Sequence, residues 1–587
     1  MGNAHDDGCL FAKRQNQRCL RDDKRRARPV RISEVRAGQL AANIRRIGGT
    51  SNANMLGRSD MKGLSSTLSD RQALWAFLLG CLAVTAGVCA HLPMFAMARA
   101  MHYRLAGMPM DTPMLLGMAL IVAGTLLAGY GLLPRNLAAQ RASAADIVVA
   151  APEDAPLGLA HWGLMAVLVV ALVIDVMKPA SLGFTVPGMI SEYGVPKQTV
   201  SLVPFFALAG TVTGSVLWGW IADVYGRKAS ILLSAVMFVG TSICGAMPSL
   251  AWNIAMCFMM GAAAGGMLPV TYALLAEMMP SRHRGWSLVL VGGLGAVGGY
   301  FAATGLSAVL QPIFGWRILW LANLPSGLLL VALGALIPES AKFLLARGRV
   351  EEAERVMRRF GATAHRASGA GIAQQRGSQA LSGLHLYGKL AALSICALSW
   401  GLINFGLLLW LPADLVAKGY SVGLSSRLLA ESALIAFPTV FVAALLYSRW
   451  STKWSLAAMI AVTLAGLLLV LRLEVAGTGS PVLPVALLIV GTNGIIATVL
   501  PYTAESFPLA VRGRATGWVA ACTKGGGLLA QGLTISGITL SMGVSALLVM
   551  IPTAISFGLV AWFGRETRGR DLRDLDVDSA QPEQAAA

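Results

Sequence analysis

Along most of this chain apolar residues come in blocks of about 20, separated by short polar turns. Two such blocks lie near 74–96 and 113–133, ahead of a small-polar stretch at 134–160. Six follow near 163–183, 199–221, 230–247, 250–273, 286–310 and 318–337. After a long polar break at 338–388 come six more, near 390–411, 429–447, 455–472, 482–504, 515–538 and 543–563. A helix of about 20 residues crosses roughly 30 Å of hydrocarbon, and the blocks are too long and uniform for spanning strands. Each spanning segment must satisfy its own backbone, so the pattern predicts an all-α membrane protein grouped two, six and six.

This grouping predicts the domain plan. Residues 1–70 form a basic segment expected to be disordered, 71–135 two accessory transmembrane helices, and 136–160 a linker. An N-terminal six-helix bundle spans 161–337, a cytoplasmic central loop 338–388, a C-terminal bundle 389–564, and a tail 565–587. The central loop carries Glu351, Glu352, Glu354, Arg355, Arg358 and Arg359, the makings of a charged amphipathic helix. The head has no signal-peptide pattern, and translation is expected to start at Met55 or Met61.

Composition changes the picture little. The chain is 56% hydrophobic and 13% charged, far from the roughly 25% charge of soluble domains. Its net charge of +18 raises the question of nucleic acid. However, residues 1–60 hold 13 Lys+Arg against 6 Asp+Glu, and the remaining excess lies in short loops and the tail. Positive loops face the cytoplasm, so topology accounts for the basicity and no nucleic-acid partner is expected. Arg227, Lys228, Arg282, Arg284 and the central loop then lie inside, with both termini, in a bacterial inner (plasma) membrane. Arg99 and Arg104, between the first two spans, fall on the predicted outer side against that rule. Six cysteines sit in spans and read as packing, with no metal-ligand spacing, and no histidine lies mid-span in the twelve-helix core.

The most informative motif is Gly219-Trp220-Ile221-Ala222-Asp223-Val224-Tyr225-Gly226-Arg227-Lys228, after the second core helix. Gly219 permits close helix approach, Gly226 a tight turn, and Asp223 can pair with Arg227 or a helix end. The stretch resembles the major facilitator loop motif G-x-L-A-D-x-x-G-R-K. Glu277 with Arg284-Gly285, and Glu505 with Arg512-Gly513, resemble the E-x6-R-G pattern of the sugar-porter and organic-ion branch. Pro338-Glu339-Ser340 resembles the element opening that branch's central loop, and Arg565-Glu566-Thr567 the element after its last helix. The resemblance implies a major facilitator fold of two six-helix bundles, to which the apolar blocks add two extra N-terminal helices. It further implies a secondary transporter working by alternating access, with these charges as a cytoplasmic latch. Between the eighth and ninth core helices the second loop motif reads Ser448-Arg449-Trp450-Ser451-Thr452-Lys453, without aspartate or glycines, so the latch is expected to be asymmetric.

The cargo is read from polar groups within spans, where a charge costs roughly 2.5–3.5 kcal/mol. Asp175 and Lys178 lie three apart in the first core helix, where similar aromatic-acid/proton symporters carry D-x-x-D. They form either a self-neutralising pair, or a proton acceptor and a cation for a substrate carboxylate. Lys524 in the eleventh span is a second buried cation, and Asn404 and Asn493 add hydrogen bonders. Two lysines facing one cavity favour an organic acid, and the glutamines of sugar porters are missing. Gly293-Leu294-Gly295-Ala296-Val297-Gly298 matches a dinucleotide fingerprint but lies inside a span with no preceding strand. There is no Walker A sequence, so ATP hydrolysis is not expected to drive transport and an ion gradient is the expected source; no cofactor, metal or enzymatic activity is expected. The reading is a proton-coupled transporter of a small organic acid, for which a monomer in the bilayer suffices. A drug or metabolite exporter and a non-transporting sensor on the same scaffold are the alternatives.

Overall fold

A computed structural model describes residues 71–133, 147–150, 156–346, 349–366, 384–476, 479–507, 509–538 and 540–568. The expectations for residues 1–70, most of the linker and the end of the tail lie outside the described residues. Two helices come first, α1 (Arg71–Cys89) and α2 (Thr112–Leu132), followed by the short strand β1 (Ile147–Ala150). The first bundle holds α3 (Leu159–Tyr193), α4 (Leu202–Tyr225) and α5 (Arg227–Gly240, continuing as 3₁₀ turns over Thr241–Ala246). It is completed by α6 (Leu250–Ala264 and Met267–Met278), α7 (Ser281–Phe314) and α8 (Asn323–Leu336). The central loop contains α9 (Val350–Phe360) and β2 (Thr363–Arg366). The second bundle holds α10 (Leu384–Gly401, with later turns to Ala417), α11 (Val422–Ala436 and Thr439–Arg449) and α12 (Thr452–Ala476). It ends with α13 (Val482–Ser506), α14 (Leu509–Ile535) and α15 (Met542–Phe563).

Among the described residues, thirteen stretches are long and apolar enough to cross a membrane, α1 and α2 included. The helix α14 is less apolar because it carries Arg514, Lys524 and the run Gly525-Gly526-Gly527. One feature departs from an all-helical fold: β1 and β2 form an antiparallel ribbon, with Ile147 opposite Arg366. Helix starts follow local chemistry. Side chains of Asp111, Ser249, Ser421 and Ser541 accept the N–H groups of Met114, Trp252, Leu424 and Val544, donors that the first turn leaves free.

Lipid tails are as apolar as leucine, so helices in a membrane are held by close packing rather than by the hydrophobic effect. Small residues supply that packing. A Cβ on Gly210 or Gly214 of α4 would collide with the carbonyls of Phe258 and Ala262, and one on Gly261 or Gly265 of α6 with those of Ala207 and Thr211. The two four-residue notches therefore fit each other. In the hairpin the spacing is seven: a Cβ on Gly124 would lie 2.7 Å from the Gly80 carbonyl, and one on Gly117 2.6 Å from that of Gly87. Overpacking such a contact costs about 1–3 kcal/mol per added group. Gly261→Leu is thus expected to abolish the monodisperse folded species on size-exclusion chromatography, while Gly305→Leu, which meets open space, leaves it intact.

Each bundle has its own core, around Leu168, Leu172 and Leu274 in the first and Ala397, Ile460 and Val499 in the second. A further cluster joins the bundles at the end away from Gly226: Val186 and Val203 of the first pack with Leu409 and Trp410 of the second. There Lys197 lies 4.4 Å over the Trp410 ring.

Candidate functional site

The end carrying Gly226 is built around two buried or half-buried carboxylates. Gly226 adopts φ +103, which favours glycine, and a Cβ there would collide with the Glu339 carboxylate. Through that gap Glu339 accepts the N–H groups of Arg227 at 2.9 Å and Lys228 at 3.2 Å, the first turn of α5. Burial nevertheless pushes the Glu339 carboxyl above the usual range. Arg227 donates from Nη2 to Glu277 at 3.0 Å, and the Ser340 hydroxyl donates to the same carboxylate. Lys228 reaches the Ala335 carbonyl at 2.9 Å.

The second half repeats the plan with different residues. Glu566 accepts the Thr452 N–H at 2.9 Å, the Thr452 hydroxyl at 2.7 Å and the Ser451 hydroxyl, at the start of α12. Glu505 accepts the Tyr447 hydroxyl at 2.6 Å and the Thr567 hydroxyl at 3.0 Å. Glu339 and Ser340 stand 227 residues before Glu566 and Thr567. The expected asymmetry is therefore only partial: where the first half sets the Arg227 guanidinium on Glu277, the second sets the Tyr447 hydroxyl on Glu505.

One other expectation changes. Gly219 is not a site of close approach, since a Cβ there would meet nothing within 4 Å; the contact between α4 and α6 is made earlier in α4, at Gly210 and Gly214. Glu277 binds Arg227, while Arg284 faces Glu505 of the other bundle, whose Oε1 lies 2.8 Å from the place of a Gly285 Cβ. The side chains of Asp223 and Arg512 lie outside the described residues.

Glu566 sets a pH dependence. Partial burial raises its carboxyl, but the Ser451 hydroxyl and the Thr452 N–H and hydroxyl outweigh this and hold it below the usual range. A depressed carboxyl contributes stability above its unfolded value that is lost as pH falls through the folded one. The melting temperature of the wild type is therefore expected to fall on acidification below about pH 4.5, and less steeply in Glu566→Gln.

Between the bundles lies a cavity of about 420 Å³, within the roughly 300–1,000 Å³ of small-molecule sites. It runs from Gly183 and Leu409, where the bundles touch, to Val216 and Gly517 at the Gly226 end, where Val216 is 73% exposed. Of the five polar candidates, Asp175, Asn404, Asn493 and Lys524 line it. Lys178 does not.

Asp175 is buried and forms no hydrogen bond or ion pair among the described residues. Four residues on, Pro179 lacks the N–H that would close the helical bond to the Asp175 carbonyl, so α3 opens at this point. Lys178 turns into the seam between α3 and α5. Its Nζ donates to the Phe238 carbonyl and the Thr241 hydroxyl, both at 2.6 Å, and lies 4.2 Å over the Phe238 ring. A spacing of three rotates a residue by about 60° from its partner, and here that carries the lysine off the cavity wall. The self-neutralising pair and the Lys178–substrate contact are both replaced by this arrangement, because the change to 3₁₀ turns after Gly240 leaves acceptors within the lysine's reach.

Lys524 takes the place on the cavity that Lys178 vacates. The following glycines let α14 press on α10: a Cβ on Gly526 would collide with the Leu398 carbonyl, and one on Gly527 would lie 2.7 Å from the Phe405 ring. The ammonium then sits 5.7 Å from the Trp400 ring centre and 5.4 Å from that of Phe405. Trp400 is held by its indole N–H on the Thr492 carbonyl at 2.8 Å. From Leu402 to Leu408 the helix widens to π geometry, common at functional sites, and the Gln531 amide satisfies the Phe405 carbonyl. Buried in the same cavity, with no hydrogen-bond partner among the described residues, are the Asn404 amide nitrogen and the Tyr300 hydroxyl. The aromatic lining was missed in the sequence, although Trp400 and Phe405 bracket Asn404 in it.

Comparisons with known proteins place this architecture. The chain is 26% identical over 443 residues to the niacin transporter NiaP of Acinetobacter baylyi, covering 72% of this chain and 98% of that one. It is 30% identical over 207 residues to the 4-hydroxybenzoate transporter PcaK of the same organism, covering 33% and 43%. The xylose transporter XylE of E. coli, in a partially occluded inward-open conformation, superimposes with a TM-score of 0.56 at 17% identity, over 70% of this chain and 100% of that one. The family model of the Major Facilitator Superfamily matches residues 163–531, from α3 into α14. This multi-pass membrane protein is a solute transporter and belongs to the Major Facilitator Superfamily.

Proposed function

We propose that the protein carries a small aromatic carboxylate together with a proton across a bacterial inner membrane by alternating access. The observation that carries this reading is one ammonium, Lys524, placed between two aromatic rings and facing Asp175 across the cavity. An aromatic acid answers both features: its carboxylate meets the cation and its ring stacks on the lining, each stack worth about 0.5–1.5 kcal/mol. The names of the relatives, niacin and 4-hydroxybenzoate transporters, agree with that class. The basic loops orient the Gly226 end toward the cytoplasm, so the cavity opens inward in this state.

Charge conservation in the cavity supports proton coupling. Empty, Asp175 and Lys524 sum to zero; with an anion bound the sum is negative, and one proton on Asp175 restores it. Moving an uncompensated charge through low dielectric is unfavourable, so anion and proton travel together. A thermal-shift panel tests the substrate class, with nicotinate, benzoate, 4-hydroxybenzoate, xylose and a cationic drug offered to purified protein at pH 5.5 and about pH 7.5. Stabilisation by the three acids is expected. Stabilisation by xylose or the drug alone would overturn the reading.

A further inference from the structure

The matched family region begins at residue 163, so the hairpin of α1 and α2 lies outside it, and nothing above assigns it a role. Its position is not that of a loose appendage. The hairpin packs on α5: a Cβ on Gly240 would lie 2.9 Å from the Ile121 side chain, and Val84, Leu232 and Val236 share one buried cluster. As a result 94% of the apolar stretch of α5 is buried within the protein, against 44% in α12, its counterpart in the other bundle. The opposite face of the hairpin exposes Leu79, Leu82, Leu116, Val122 and Leu126, as a lipid-facing surface requires.

The tip of the hairpin is held by an ionic centre. Glu192, near the end of α3, accepts the backbone N–H groups of Leu105 at 2.7 Å and Ala106 at 2.9 Å. The same carboxylate accepts Arg317 Nη2 at 2.8 Å and the Trp316 indole at 2.7 Å. Arg317, fully buried, also donates to the carbonyls of Gly245 at 3.2 Å and Met247 at 2.7 Å and to the Tyr193 hydroxyl at 3.0 Å. One carboxylate thus joins the hairpin tip, the end of α3, the turn before α8 and, through Arg317, the turn between α5 and α6. The tip is strained to reach it: His102 and Tyr103 both adopt positive φ, +53 and +58, unusual for consecutive non-glycine residues. Tyr103 is held between Phe95 at 4.8 Å and Phe314 at 5.5 Å. The positions 227 residues on from Glu192 and Arg317 are Gly419 and Val544, so this carboxylate–guanidinium pair is not repeated there in the second bundle.

We propose that Glu192 is a positioning residue that docks the hairpin as a membrane-spanning flank of the first bundle, and that the two move as one body while the second bundle rocks. The docked hairpin also supports the stretch of α5 whose Phe238 carbonyl and Thr241 hydroxyl hold Lys178. The inference rests on the alternating access proposed above, and its tests are separable from that reading.

The Ile121→Cys/Gly240→Cys double variant is oxidised in proteoliposomes and compared with its own reduced form and with oxidised wild type, which controls for native cysteines. The cross-link should form, and uptake of labelled nicotinate should stay within about twofold of the reduced sample, as for one rigid body. Failure to cross-link, or a loss beyond about tenfold that reductant restores, would overturn the proposal. Nicotinate uptake by the reduced sample reports separately on the substrate reading. Hydrogen exchange supplies an arm independent of transport: in Glu192→Gln the amides of Leu105 and Ala106 should exchange at least about tenfold faster. Glu192→Asp keeps a carboxylate beside Arg317 but shortens its arm by one methylene, so it should speed exchange at Leu105 and Ala106 even if Glu192→Gln does not fold. Unchanged protection at both amides in Glu192→Asp would overturn the docking role.

Discussion

Lys524→Ala is expected to weaken nicotinate and benzoate binding at least about 30-fold while leaving the purified protein folded. Losing the partner of a buried charge costs about 2 kcal/mol or more, and each 1.4 kcal/mol is about tenfold. Among the described residues, the cation it removes is held by the rings of Trp400 and Phe405 and by the opposing Asp175, so no hydrogen bond of the fold is broken. Titration calorimetry on wild type and variant reads the effect. Lys178→Ala provides the contrast: that ammonium is bonded to the Phe238 carbonyl and the Thr241 hydroxyl, so its loss should lower the melting temperature more than the affinity. Equal affinity in wild type and Lys524→Ala would remove the lysine from the site.

The second large effect is expected at Asp175. Asparagine imitates the protonated acid, so a loaded Asp175→Asn cavity remains neutral and can cross. Unloaded, it retains the Lys524 charge without an answer and cannot return. Exchange of labelled for unlabelled nicotinate should therefore persist within about threefold of wild type, while uptake driven by a pH gradient falls to the rate of protein-free liposomes. Protein-free liposomes are the necessary baseline, because the neutral form of an aromatic acid also crosses lipid. Loss of both activities together would make Asp175 a structural or substrate-binding group.

How far the sequence carried these conclusions varied with the physics involved. The helical segments were legible because a bilayer demands about 20 apolar residues for each crossing, whatever the sequence around them. The notches at Gly210/Gly214 and Gly261/Gly265 were legible as notches, but not as partners, since pairing depends on how α4 and α6 are rotated. The cavity was partly legible. Buried polar residues in spans are rare enough to mark Asp175, Asn404, Asn493 and Lys524, all of which line it. Lys178 went astray because its long arm follows available acceptors, and those appear only where α5 tightens to 3₁₀ turns. The second carboxylate cluster was hidden for a similar reason: Tyr447, Ser451 and Thr452 bind Glu505 and Glu566 from a loop that does not resemble the first motif. The ionic centre at Glu192 was missed entirely, since its members lie far apart in the chain and carry no pattern.

The central claim, that anion and proton cross together, is tested most directly by nicotinate uptake into proteoliposomes under an imposed pH gradient and, separately, an imposed potassium diffusion potential. Electroneutral cotransport predicts an initial rate that rises with an inward proton gradient and is indifferent to voltage. An anion carried alone would instead follow an inside-positive potential, worth about 2.3 kcal/mol per charge per 100 mV, and ignore the pH gradient. That outcome would contradict the account and bring the charge of Lys178 into the sum.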